Sequence, residues 1–190
     1  RALATVALTS EDEAILAQAE GLDVVAVRRP AELAGDEARS FDVIRHALAE
    51  CEAGRDRPFD AVAVLQCTSP FTAPADVAAT VALLEDHADE GSAVSVVEVD
   101  MVHHPVKLKR LHEGRLVPFL QPDGMTPSHD LPRLFVRNGC VYVTRRGLIA
   151  AGTFVAEEAL AHVMPAERSV DIDTPLDLAF AEFLAARGRR

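Results

Sequence analysis

Residues 61–75 read AVAVLQCTSPFTAPA, and the order of apolar, polar and proline residues in this stretch decides the fold. Ala61 to Leu65 is apolar throughout, the mark of a central strand buried on both faces. Gln66 to Thr72 is polar and reads as a loop. Pro74 then falls in the first turn of a helix, where a missing N–H leaves no bond unmade, and that helix ends near His87. Strand, loop and helix in this order form the repeating unit of a parallel sheet covered by helices.

The same alternation extends in both directions. Upstream, Thr5 to Leu8 reads as a buried strand, and Ser10 with Glu13 forms a capping box that opens a helix through about Glu20. Gly21 ends it, and Val24 to Val27 make a second strand. A loop, Arg28 to Asp36, leads to a helix from about Ala38 to Gly54 with Phe41, Ile44 and Leu48 on one face. Downstream, Ser92 to Val99 and Cys140 to Thr144 read as sheet strands, and Ala161 to Met164 as a shorter one. Thr174, Pro175 and Asp177 supply an N-cap, a first-turn proline and an acidic third position for a last helix to about Arg187. Asp100 to Pro132 breaks the pattern with five prolines and reads as an excursion from the sheet, since proline cannot donate to a ladder. The expectation is one α/β domain over residues 1–190, with a mostly parallel sheet and helices on both faces.

Composition narrows the function. The chain is long enough for a sizeable core, which must be aliphatic because there is no Trp and one Tyr. A formal charge of −11 argues against a general binder of nucleic acid or membranes, both of which are anionic, but leaves room for a local basic pocket. Cys51, Cys67 and Cys140 are odd in number and form no metal-type spacing, so a reduced, cytoplasmic setting is expected. No apolar run approaches the roughly 20 residues of a membrane span. The first residues are poorly organised for a signal peptide and look like the interior of a domain.

Ligands of open α/β sheets bind at the carboxyl ends of the strands, and three loops there carry unusual residues. Arg28 to Asp36, leading to Ser40 at the next helix start, suits an anion or nucleotide; a solvated charged loop is the plain alternative. Gln66-Cys67-Thr68-Ser69-Pro70 offers short groups that both donate and accept, which suits a polyhydroxylated ligand or equally an ordinary strand-to-helix turn. Asp171-Ile172-Asp173 places two carboxylates two residues apart, on one side of an extended stretch. Such a pair can hold Mg²⁺ together with substrate phosphate oxygens, or can be structural. No G-x-G-x-x-G, Walker loop or G-x-S-x-G elbow is present.

Together these segments resemble the CMP-sialic acid synthetase (acylneuraminate cytidylyltransferase) family. RPAELAGD at 29–36 matches its R-P-x-x-L-A-x-D stretch, and LQCTSP at 65–70 resembles L-Q-P-T-S-P. NGCVY at 138–142 resembles N-G-A-I-Y, and MPAERSVDIDT at 164–174 resembles M-P-x-E-x-S-x-D-I-D-T. The order and spacing hold from about Val6 onward. The resemblance implies a Rossmann-like nucleotidyltransferase that joins a 2-keto-3-deoxy sugar acid to CMP, using CTP and Mg²⁺ and releasing pyrophosphate. By the same match Arg29, Ala38 and Ser40 lie near the cytidine. Gln66, Thr68, Ser69, Asn138 and Tyr142 line the sugar site, and Asp171 and Asp173 hold the metal. Residues 100–132 look like the family's arm for homodimerisation.

The match departs from the family at two places. The family's G-S-K-G-[IL]-x-x-K-N-type loop, which holds the triphosphate, has no counterpart here, and Thr72, Ser128 and Val136 stand where sugar-side arginines are found. The rival reading is a non-catalytic nucleotidyltransferase-like domain kept for binding or oligomerisation. A glycosyltransferase of the nucleotide-sugar type also uses D-x-D, but it expects an acceptor domain afterwards.

Overall fold

A computed structural model describes residues 3–35, 37–120 and 127–188. Along the chain run β1 (Ala7–Ser10), α1 (Glu13–Leu16), β2 (Val25–Arg28), α2 (Ser40–Glu52), β3 (Ala61–Leu65), α3 (Pro74–Asp86) and β4 (Ser92–Glu98). They are followed by β5 (Lys109–His112), β6 (Arg115–Pro118), β7 (Phe135–Arg145), α4 (Arg146–Ala150), β8 (Leu160–Val163) and α5 (Pro175–Gly188). β1 and β2 pair in parallel, and a four-stranded sheet has the order β3-β7-β4-β8. Since β7 is antiparallel to both β3 and β4, and β8 is parallel to β4, three of these four strands point the same way. The fold is α/β with mostly parallel strands, as the alternation of apolar runs and amphipathic stretches requires.

The core forms where α3 packs across β4, β7 and β8. Val81 and Leu84 of the helix meet Ala93, Cys140, Val141, Val143 and Met164. These side chains are aliphatic or sulfur-bearing, and each large one contributes about 1.5–3 kcal/mol through burial. Arg145 closes the C-terminus of α3, donating from Nε to the Glu90 carbonyl (2.9 Å) and from Nη2 to those of Leu84 (2.5 Å) and His87 (3.2 Å). The Leu84 carbonyl, one of the helix-end carbonyls that lack intrahelical donors, is thereby satisfied.

Three local expectations are corrected. Ser10 is the last residue of β1, not a helix cap; its Oγ accepts from the Asp12 N–H, and Asp12 caps α1 by accepting from Ala14 N at 2.7 Å. Two residues are needed to turn from strand into helix, and Asp12 is the acceptor left at the right place. β3 terminates its sheet among the described strands instead of lying centrally, with Ala61 to Val64 half-buried. β7 begins at Phe135, five residues earlier than its apolar run suggests, because Phe135, Val136 and Arg137 extend the ladder with β4.

The excursion contains a β5–β6 hairpin whose two-residue turn, Glu113-Gly114, has positive φ at both positions (49° and 76°), as a type I′ turn demands. Residues 121–126 of the excursion lie outside the described residues, as does Asp36 of the first loop. No helix among the described residues is long and apolar enough to cross a membrane.

Candidate functional site

The site is built around an irregularity in β7. Opposite Val94 of β4 stands Tyr142, yet opposite Val96 stands Arg137, so Asn138, Gly139 and Cys140 bulge out of the ladder. Gly139 takes φ +79°, a left-handed conformation that a side chain disfavours. Ser95 fills the gap in the ladder: its Oγ donates to Asn138 Oδ1 at 2.6 Å and accepts from the Val141 N–H at 2.8 Å. Bulges of this kind redirect side chains next to active sites.

This bulge brings the Gly139 backbone into close approach with three side chains. A Cβ there would stand 2.8 Å from Gln66 Oε1, and 3.6 Å from both Ser69 Oγ and an Asp171 carboxylate oxygen. Groups from the strand-to-helix turn, the N-G bulge and the D-x-D segment thus converge on one place. The turn and the D-x-D segment are tied directly as well, since Ile172 N–H donates to the Thr68 carbonyl at 2.9 Å. Ser69 is 4% exposed, and its Oγ and Asp171 Oδ1 are both buried without a hydrogen-bond partner. Buried polar atoms are ordinarily paired, so unpaired ones on two of the side chains around Gly139 mark a place for a ligand or cation.

Asp173 lies exposed two residues on, where its N–H donates to Asp177 Oδ2. Asp177 and Thr174 cap α5 reciprocally: Thr174 N–H and Oγ1–H donate to Asp177 Oδ2 (2.8 and 2.7 Å), and Asp177 N–H donates to Thr174 Oγ1. These bonds lower the Asp177 carboxyl from its ordinary range, the Thr174 hydroxyl contributing most. Among the described residues no group of three or more His, Cys, Asp or Glu side chains gathers to hold a metal. A divalent cation here would rest on Asp171, Asp173 and oxygens supplied by a substrate, which is how Mg²⁺ is often bound. The unpaired Asp171 Oδ1 fits that role.

The other expected residues are placed differently. Arg29 follows β2, donating from Nη2 to the Thr9 carbonyl at 2.9 Å, with Nη1 3.7 Å from the Glu11 carboxylate and Nε unpaired. It lines an open surface hollow of about 440 Å³ with Glu11, Arg28, Pro30, Ala31 and Ala34. Ala38 and Ser40 do not line it; Ala38 is half-buried and Ser40 is the exposed first residue of α2. Asn138 is 7% exposed with its amide fully engaged, accepting from Ser95 and donating to Ser169 Oγ at 2.8 Å. It therefore shapes the bulge. Tyr142 sits in the regular ladder with its ring 5.5 Å from that of Phe154, and it is not among the nearest groups around Gly139.

One feature of the site was missed by sequence reasoning. Asp76, in the first turn of α3, is 1% exposed and takes a two-pronged contact from Arg168 (Nε to Oδ2 and Nη2 to Oδ1, both 2.9 Å). His162 Nε2 stands 3.2 Å from Oδ1, and the Ala73 N–H donates to Oδ2 at 3.0 Å. The Arg168 hydrogen bonds, against the opposing effect of burial, hold the Asp76 carboxyl down at about 2. Arg168 lies within the motif segment that ends in the D-x-D pair. An acidic residue early in a helix reads as a dipole partner, and nothing in the sequence signals burial.

The chain is 28% identical over 178 residues to an N-acylneuraminate cytidylyltransferase of Escherichia coli O18:K1:H7, covering 93% of this chain and 41% of that protein. It is 28% identical over 156 residues to the enzyme of the same name from Streptococcus agalactiae serotype V, covering 81% of this chain and 35% of that one. The chain thus spans well under half the length of these curated relatives. In fold it is similar to a CMP:2-keto-3-deoxy-manno-octonic acid synthetase solved with CTP, at a TM-score of 0.65 and 16% identity, over 98% of this chain and 82% of that one. No family model matches the chain.

Proposed function

We propose that this chain forms the sugar- and metal-binding part of a cytidylyltransferase that transfers CMP from CTP to a 2-keto-3-deoxy sugar acid and releases pyrophosphate. The observation that carries this reading is the meeting of Gln66, Ser69 and Asp171 around Gly139, with Ser69 Oγ and Asp171 Oδ1 buried and unpaired. The similarity to N-acylneuraminate cytidylyltransferases supports it along nearly the whole chain.

In this reading an acceptor hydroxyl attacks the α-phosphorus of CTP, and the bond to the pyrophosphate oxygen breaks. Gln66 and Ser69 orient the sugar by hydrogen bonds, and the hollow beside Arg29 receives the nucleotide. Asp171 and Asp173 hold Mg²⁺, which when bound neutralises charge on phosphate oxygens. Catalysis then rests on positioning and electrostatics. The sugar carboxylate must find a cation other than at Thr72, whose hydroxyl donates to the Ser69 carbonyl at 3.0 Å. The β5–β6 hairpin is the surface for a homodimer in this reading.

A second reading, a non-catalytic domain kept for binding or oligomerisation, is favoured by one fact: Thr72, Ser128 and Val136 stand where the resemblance expects sugar-side arginines. The test is pyrophosphate release by the intact protein with CTP, Mg²⁺ and a panel of 2-keto-3-deoxy sugar acids. Asp171→Asn and Asp173→Asn should each abolish release while leaving the circular dichroism unchanged. Undiminished release in both variants removes the metal assignment. No release by the parent with any sugar acid establishes the second reading.

A further inference from the structure

We propose that Asp76 is a positioning residue: acting through Arg168, it sets the carboxylate of Asp171 against Gln66 and Ser69. This rests on the assignment of Asp171 to the cation. The Asp76 carboxylate grips both halves of the site at once. Its Oδ2 accepts from the Ala73 N–H, at the end of the turn that begins with Gln66, and both oxygens accept from Arg168, three residues before Asp171. Between Arg168 and Asp171 the chain has little slack, for Ser169 is bound to Asn138 and to the Pro165 carbonyl, and Val170 is buried. The Arg168 contact is thus one of a few restraints on the short stretch that carries Asp171, and losing it loosens that stretch. His162 adds a second contact from β8 to the same carboxylate.

Stability alone does not explain such a pair. The Asp76 carboxylate is the buried partner, while Arg168 keeps 42% of its side chain exposed, and an aspartate left in solvent at this position would need no partner. What the two-pronged Arg–carboxylate contact supplies is fixed geometry. A site that needs a carboxylate placed to within a fraction of an ångström gains from it, since small misplacements near reacting groups are costly in rate.

The experiment measures Mn²⁺ binding, from the signal of the free ion, to the intact protein with saturating CMP, whose phosphate supplies the oxygens the two carboxylates lack, alongside thermal unfolding. Parent, Asp171→Asn, Asp76→Asn, Arg168→Lys and the double variant Asp76→Asn/Arg168→Gln are compared. The parent should bind, and Asp171→Asn should lose binding. Asp76→Asn and Arg168→Lys should weaken it by about tenfold, the size of effect that outer contacts of metal sites show. The double variant, with both charges removed, should recover melting temperature but not Mn²⁺ affinity. A merely structural role would instead lower the melting temperature of the single variants and leave the affinity of the folded fraction at the parent value. Parent-like affinity in Arg168→Lys and the double variant overturns the inference while the cation assignment stands. Parent-like affinity in Asp171→Asn, or no binding by the parent, overturns the cation assignment and the inference with it.

Discussion

Gly139 shows how much of the site depends on one backbone conformation. Its φ of +79° turns the bulge, and the missing side chain lets Gln66, Ser69 and Asp171 approach the backbone there. In Gly139→Ala the methyl group would meet Gln66 Oε1 at 2.8 Å, a contact relieved by turning the glutamine away. The remaining cost is that of a left-handed alanine, about 1–2 kcal/mol, readable as a lowered midpoint in urea. Pyrophosphate release should fall further than that loss of stability explains, because Gln66 is displaced. An unchanged midpoint would show that the bulge relaxes around the new methyl. Gln66, Ser69 and Asp171 could be read from the sequence because polar residues after an apolar run and paired carboxylates have recognisable patterns. Ser95 and Asp76 could not. A serine inside an apolar strand and an aspartate in a first helical turn look ordinary until the partner, Asn138 or Arg168, is seen across the fold.

At the scale of elements, apolar runs located most of the sheet, and β3 falls on the residues expected. Caps and strand ends were less legible, because Ser10 and Asp12 compete for the start of α1 and only the length of β1 decides between them. The bulge in β7 has no periodic signal at all, since it depends on which residues of β4 lie opposite. In the excursion the hairpin itself is short, but its turn and its exposed cross-strand pair, Leu111 opposite Leu116 and each 75% exposed, are distinctive. With Phe119 and Leu120 also exposed nearby, this is apolar surface that a second copy would cover. In Leu111→Lys/Leu116→Glu, opposite charges across the ladder preserve the hairpin while removing the apolar face. The dimer expected for the parent in light scattering should become a monomer, with little change in melting temperature. A parent that is already monomeric at micromolar concentration would remove the hairpin from the reading.

At the scale of the whole molecule, the distribution of charge decides what these 190 residues can do alone. The net charge is −11, and the basic groups at the expected nucleotide side are Arg28 and Arg29, beside Glu11. Nothing in the sequence has the pattern of a loop of backbone N–H groups that cradles a triphosphate. A cytidine monophosphate asks only for the hollow beside Arg29 and one anion contact, whereas CTP brings additional negative charge toward an acidic surface. The 190-residue chain should therefore bind CTP no more tightly than CMP, with dissociation constants of about 1 mM or weaker, at or beyond the upper end of usual KM values. Calorimetric titration of each nucleotide with Mg²⁺ measures this. Micromolar binding of CTP with weak binding of CMP would mean that a triphosphate cradle is formed by residues already present. Arg28 and Arg29 would then be the first positions to substitute. Equal and weak binding of the two would instead show that Arg28 and Arg29 hold a single phosphate and make no separate contact with the β- and γ-phosphates.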